Sequence, residues 1–267
     1  MKRIIFVIVA GLFFATVYSQ NKLSKEQIAE HYNNGTRYKY NKKYKEAFDE
    51  YMILAKDGFA MAEWEIAMCY YEGQGCQPNM QEYSKWMQRA AMHEFSRAYV
   101  EMGHIYYEGI GVAQNFQDAV KWYEKAANAG DALGAHCLGL AYHKGEGVAQ
   151  DHKKAIYWYE KAVDGEKLSA SANNIAMIYA KGGVGVERNL ILAFQWFRRA
   201  ADLGDRNAQY TLGLWYLDGS DKLKENSGCD ECPTFSKDTT KALDYFKAAA
   251  AQGHVKAQIK VAEMTKR

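Results

Sequence analysis

The chain has 267 residues, 48% of them hydrophobic and 25% charged, with a formal net charge of +2. It carries no cluster of lysine or arginine, which argues against a nucleic-acid binder, because phosphate contacts need an excess of positive charge. No cofactor motif is implied by these bulk properties. In chain order, the first element is an export signal. Lys2 and Arg3 precede an apolar run from Ile4 to Ala15, followed by Val17 and the small Ser19. That pattern reads as a secretory signal peptide over residues 1–20, cleaved after Ser19 or Gln20. The run is shorter than the roughly 20 residues a membrane span requires, and no second long apolar run follows, so no membrane span is expected. The expected location is periplasmic or secreted. Loss of Lys2 and Arg3 brings the formal charge from +2 to about zero.

After the signal, the chain repeats itself. Gly-x-Gly occurs at Gly73/Gly75, Gly109/Gly111, Gly145/Gly147 and Gly183/Gly185. A tryptophan stands at a fixed interval after each second glycine: Trp86, Trp122, Trp158 and Trp196. A small residue stands before each pair: Ala67, Gly103, Gly139 and Ala176. Columns in register at this period are an internal repeat. Within each copy the apolar residues recur at helical spacing, so two helices per repeat are predicted, with no β-sheet. The glycines read as a helix-to-helix turn, since glycine accepts the left-handed conformation of a helix C-cap. The tryptophans read as the recurring core of the array.

The outer copies are degenerate. Residues 21–58 fit a first repeat in which Glu50 takes the tryptophan's place. In a later repeat, Ala208, Leu212, Gly213 and Tyr216 share one helical face, and Gly219 ends that helix. The stretch SDKLKENSGCDECPTFSKDTT follows, polar and aperiodic, and reads as an inserted loop. A second helix over about 241–251 completes the repeat, and residues 254–267 form a C-terminal cap. The whole reads as a single repeat domain over 21–267, with repeats at about 21–59, 60–96, 97–132, 133–168, 169–206 and 207–253 and the cap at 254–267.

Familiar chemistry is missing from the sequence. The glycines follow a helix, whereas a phosphate loop follows a strand and ends in Gly-Lys-Ser/Thr. No His-Glu-x-x-His or Gly-x-Ser-x-Gly occurs. His136 and His143 are two turns apart on one helix but lack a third ligand, so no metal site is assigned. No nucleophile is placed beside a base by the sequence, and no catalytic residue is assigned. Of the five cysteines, Cys229 and Cys232 form a Cys-x-x-Cys inside the insertion, read as a local disulfide stapling the loop. Cys69 and Cys76 bracket a helix end and its turn, a reachable pair; the pairing of Cys69, Cys76 and Cys137 stays open.

The segments Ala98–Gly130 and Gly134–Gly165 resemble the Sel-one-like repeat family, relatives of the tetratricopeptide repeats. They follow its pattern of Ala-x-Tyr-x-Leu-Gly-x-x-Tyr-x-x-Gly-x-Gly-Val, then Lys-Ala-x-x-Trp-Tyr-x-Lys-Ala-Ala. Cys76 departs from it at the turn valine. The resemblance implies an all-α fold, a right-handed α-solenoid of about five to six stacked helix pairs plus a capping helix. It implies a scaffold or adaptor that binds a protein or peptide on its concave side without catalysis. Some cysteine-rich secreted members of the family have been described as β-lactamases, which leaves a cell-wall-related hydrolase as the alternative.

The expected binding surface lies on the first helices, opposite the small packing residues. Its columns carry Glu101, Asn174 and Thr211; Ile105 and Trp215; and Lys144, Lys181 and Asp218, with His104 beside them. The Ile105–Trp215 column stays apolar and fits inter-helix packing equally well. Trp215 is the leading anchor candidate, because tryptophan is enriched at binding hot spots.

Overall fold

The computed structural model describes residues 23–227 and 233–266. Residues 1–20, read from the sequence as a signal peptide, and Cys229 and Cys232 lie outside the described residues. Among the described residues there are thirteen helices and no strand; Gly183 and Val186 form one isolated bridge. No helix among them is long and apolar enough to cross a membrane. The chain divides into two compact units, residues 1–114 and 115–267.

The N-terminal unit holds α1 (Lys25–Tyr40), α2 (Tyr44–Lys56), α3 (Ala60–Glu72), α4 (Met80–Met92) and α5 (Arg97–Glu108). Its interior is built on Tyr51, Leu54, Ile66, Met87, Met102 and Ile105, all fully buried. One charge is buried with them. Glu63 on α3 has no exposed surface, and its carboxylate accepts from Arg89 Nε at 2.9 Å and bonds His93 Nδ1 at 2.6 Å. Two partners, Arg89 on α4 and His93 at its C-cap, therefore meet a carboxylate whose burial alone would be costly.

The C-terminal unit holds α6 (Phe116–Asn128), α7 (Ala132–Lys144), α8 (His152–Glu166), α9 (Ser169–Lys181), α10 (Leu190–Asp202), α11 (Arg206–Ser227), α12 (Thr239–Ala251) and α13 (Val255–Thr265). Helices α7 and α8, α9 and α10, and α11 and α12 pack as pairs, and successive pairs stack on one another. This is the all-α, stacked-helix-pair architecture of the α-solenoid class.

The turn between paired helices has three parts. The first glycine (Gly73, Gly109, Gly145) ends its helix in the left-handed conformation. The second glycine sits against backbone. A Cβ on Gly75, Gly111 or Gly147 would overlap the carbonyl oxygen of Tyr44, Met80 or Phe116, the opening residue of an earlier second helix. The third part is an N-cap: the side chains of Asn79, Asn115, Asp151, Asn189 and Asp238 each accept a backbone N–H from the first turn of the helix they open. The N–H of Asn79, Asp151, Asn189 and Asp238 in turn donates to the carbonyl of Tyr70, Tyr142, Tyr179 and Tyr216.

That last bond explains how the insertion is tolerated. Asp238 N donates to Tyr216 O at 2.9 Å, as in the ordinary turns, so the extra residues leave and return at a closed joint. The insertion is not a pure loop. After a break at Gly219 (φ 80°, ψ 166°) the backbone is helical again to Ser227.

The tryptophan column differs from its sequence reading. Trp86 is buried, but Trp122, Trp158 and Trp196 are only half-buried. The fully packed position is the next residue along: Met87, Tyr123, Tyr159 and Phe197, with Tyr51 and Phe246 in the outer copies. Where the facing first helix carries glycine, the ring lies against its backbone: a Cβ on Gly35, Gly139 or Gly213 would come within 2.6–2.7 Å of Tyr51, Tyr159 or Phe246. The tryptophan face is covered instead by a cation one helical turn on, Arg89 over Trp86, Lys125 over Trp122 and Arg199 over Trp196 at 4.5–5.3 Å. Cation–ring contacts of this kind suit a partly wet surface.

Candidate interaction groove

Within the C-terminal unit, the first helices α9, α11 and α13 line a groove of about 680 Å³, a volume typical of ligand sites. Helix α9 contributes Asn173, Asn174, Met177, Ile178 and Lys181, and α11 contributes Asn207, Tyr210 and Thr211. His254, Val255 and Lys256 close one end, with His143 and His152 at the other. The walls are ordered by ring contacts. Tyr210 stacks on His254 at 4.5 Å, and the rings of His143 and His152 are 5.1 Å apart. His152 Nδ1 accepts the Val184 N–H at 2.8 Å, and the Tyr159 hydroxyl lies 3.5 Å from His143 Nδ1.

Electrostatically the groove leans positive. Burial pulls the His143 pKa below its usual value, and His152, Lys181 and Lys144 add repulsion in the same direction. The imidazole is therefore neutral at pH 7, set among cationic neighbours. Among the described residues no three His, Cys, Asp or Glu side chains converge as a metal would require.

Of the residues the sequence singles out, Asn174, Lys181 and Thr211 meet in this groove. Lys144 lies near His143 at its edge, 3.5 Å from Glu146. Asp218 is exposed, one residue before the break in α11. Glu101, His104 and Ile105 belong to the N-terminal unit. Glu101 accepts from the Tyr83 hydroxyl at 3.3 Å, and His104 is half-buried. Ile105 has no exposed surface and cannot face a partner. Its column is packing: Cys69, Ala141 and Ile178 are buried too. Trp215 is half-buried in an aromatic cluster, stacked on Phe194 at 5.9 Å with 6° between planes and edge-on to Phe197 at 5.5 Å. Phe235, at the return of the insertion, stacks on the same Phe194 at 4.9 Å. Trp215 and Phe235 thus share Phe194 as a stacking partner.

Sequence reasoning missed His143, His152, Asn173, Tyr210, His254 and Lys256 as groove residues. A signal existed for two of them. The position three before the small packing residue is His136, Asn173 and Tyr210 in successive repeats, a polar or amphipathic column on first helices. The sequence also gave no nucleophile beside a base, yet His136 Nδ1 lies 2.7 Å from Ser171 Oγ. Ser171 has no exposed surface, so the pair ties α7 to α9 and its hydroxyl meets no substrate. Cys69 and Cys76 are both free thiols. Burial, helped by the nearby Cys76, pushes the Cys69 thiol up to about 12, which leaves it a poor nucleophile.

The Sel1 repeat model matches residues 60–94, 96–131, 133–166, 169–205, 206–227 and 235–254. The chain belongs to the Sel1 repeat family. Among solved structures it is similar to a protective antigen present in uropathogenic Escherichia coli strains, at 28% identity and a TM-score of 0.76 over 90% of this chain and 51% of that one. It thus spans about half the length of that antigen. It is also similar to a Sel1 repeat protein from Oxalobacter formigenes, at 30% identity and a TM-score of 0.69, covering 84% of this chain and 86% of the other. No curated protein matches it.

Proposed function

We propose that this chain is an exported, non-catalytic scaffold that holds a protein or peptide partner along the first helices of its C-terminal unit, on the concave side of the solenoid. One observation carries the reading. The groove is lined by first-helix side chains that change from repeat to repeat, while the packing positions behind them keep one type of residue. A fold that holds its core fixed and varies one face is suited to selecting a partner. Membership of a family of interaction scaffolds supports the same reading.

A photoreactive amino acid at Thr211 tests it, with the tagged full chain expressed in a host that exports it. The expected result is a discrete cross-linked partner, identified by mass spectrometry and absent when the probe sits at the exposed Lys161. No cross-link at Thr211 would overturn the scaffold reading. Turnover of a chromogenic β-lactam that tracks protein purity would favour the hydrolase instead. Mass analysis of the same material reports on export: the mature chain should begin after Ser19 or Gln20, with Cys229 and Cys232 bonded to each other.

A further inference from the structure

From the charge and hydrogen-bonding character of the groove we infer that its occupant is an acidic peptide segment, recognised through its carboxylates. This rests on the scaffold reading above and specifies the chemistry of the partner. None of the side chains lining the groove is acidic, while Lys181 and Lys256 both reach into it. Neither lysine forms an ion pair among the described residues. Other lysines of the chain do find one: Lys39, Lys45, Lys85, Lys121, Lys144, Lys241 and Lys260 each sit within 4 Å of a carboxylate. Two ammonium groups are thus left with no internal counter-charge, one on α9 and one on α13, facing a shared cavity.

The remaining polar groups suit the same ligand. The carboxamides of Asn173 and Asn207 make no hydrogen bond among the described residues and line the same groove as the two lysines. Carboxamides donate to carboxylates and to peptide carbonyls and accept from peptide N–H groups, so they can hold an extended backbone while the lysines take its side chains. The surroundings of His143 fit as well: Lys144 on its own helix and Lys181 on α9 lie near it, with the Tyr159 hydroxyl alongside. A carboxylate entering that end would offset the repulsion that adds to burial in holding the His143 pKa down. A phosphate backbone fits less well, because two lysines spaced across a short groove cannot track a run of phosphates and the chain as a whole is close to neutral.

Fluorescence anisotropy with a labelled hexaglutamate peptide tests the inference on the full chain, against the hexaglutamine peptide as the uncharged counterpart. Hexaglutamate should bind at least about tenfold more tightly than hexaglutamine and weaken several-fold as salt rises from about 50 to 300 mM. The Lys181→Glu/Lys256→Glu variant should lose at least about tenfold of that affinity. The Lys161→Glu/Lys247→Glu variant, with the same change in net charge at two exposed sites elsewhere, should keep it. In NMR titrations the His143 pKa should rise when hexaglutamate is bound. Equal binding of the two peptides, or full retention by Lys181→Glu/Lys256→Glu, overturns the inference. So does complete displacement of hexaglutamate by inorganic phosphate at an equal concentration of charge, which would make the groove a general anion site. If hexaglutamate fails while the Thr211 cross-link to a partner persists, the acidic-segment inference falls and the scaffold stands; if the cross-link is absent as well, both fall.

Discussion

At Gly75, Gly111 and Gly147 the second glycine of the turn does more than permit a bend. At Gly147 the backbone has φ +76° and a side chain would run into the Phe116 carbonyl. Alanine there meets two penalties at once, a left-handed conformation costing about 1–2 kcal/mol and overpacking against rigid backbone costing about 1–3 kcal/mol. Gly147→Ala is therefore expected to destabilise the C-terminal unit by about 2–5 kcal/mol, read by urea denaturation. Gly130, at a left-handed position with nothing within 4 Å, should cost only the first of these. Two histidines make a second residue-scale prediction. Burial pulls the pKa of His136 below its usual value, and burial with nearby cations does the same to His143. The unfolded chain then binds more protons than the folded one below the ordinary imidazole value of 6.5. The associated stability is complete above that pH and is lost as pH falls towards the depressed folded values. Thermal melts should show Tm dropping from pH 7 to pH 5. His136→Gln, which keeps a group able to bond Ser171 but cannot titrate, should show a shallower drop.

At the scale of the helix, the sequence announced the pairs through their glycines and small residues, and much of the capping was legible though unread. Asn79, Asn115, Asp151 and Asn189 each stand four residues after the second glycine, a spacing that marks the N-cap once the turn is known. Asp151→Ala removes the acceptor for Lys154 N at 3.0 Å and should cost about 1 kcal/mol in chemical denaturation. The tryptophan column was harder to read. Trp158 and Tyr159 are adjacent and both aromatic, and a period of 3.6 does not say which of two neighbours points inward. The structure assigns the core to Tyr159, whose ring lies against the bare backbone of Gly139, and leaves Trp158 on the wetter flank. The groove was partly legible for a related reason. Asn174, Lys181 and Thr211 follow from helical geometry on one helix at a time, whereas His143, His254 and Lys256 join them only through the stacking of separate pairs, which helix phase alone does not encode.

For the molecule as a whole, the pattern of contacts predicts how damage spreads. Within the C-terminal unit each helix pair touches its neighbours in the stack, so a core truncation should be felt nearby and fade with distance. Tyr159→Ala is expected to cost about 3–5 kcal/mol locally. In hydrogen exchange, amides of α7, α8 and α9 should lose protection first, while those of α1 and α2 change little. Trp158→Ala should produce the same pattern at a clearly smaller amplitude. Uniform loss of protection along the chain would mean that the repeats unfold as one cooperative block.

The joint at the second glycine has a bearing on how such a chain could arise and grow. Its two halves, at Gly75, Gly111 and Gly147, are a bare α-carbon and a main-chain carbonyl. Neither half depends on which side chains a neighbouring stretch happens to bear. A copied stretch inserted in register by gene duplication would therefore find a fitting socket on both sides from its first generation, before any substitution had adapted it. Selection would then be free to act on the exposed first-helix positions, so that lengthening the array and changing its partner are separate evolutionary steps.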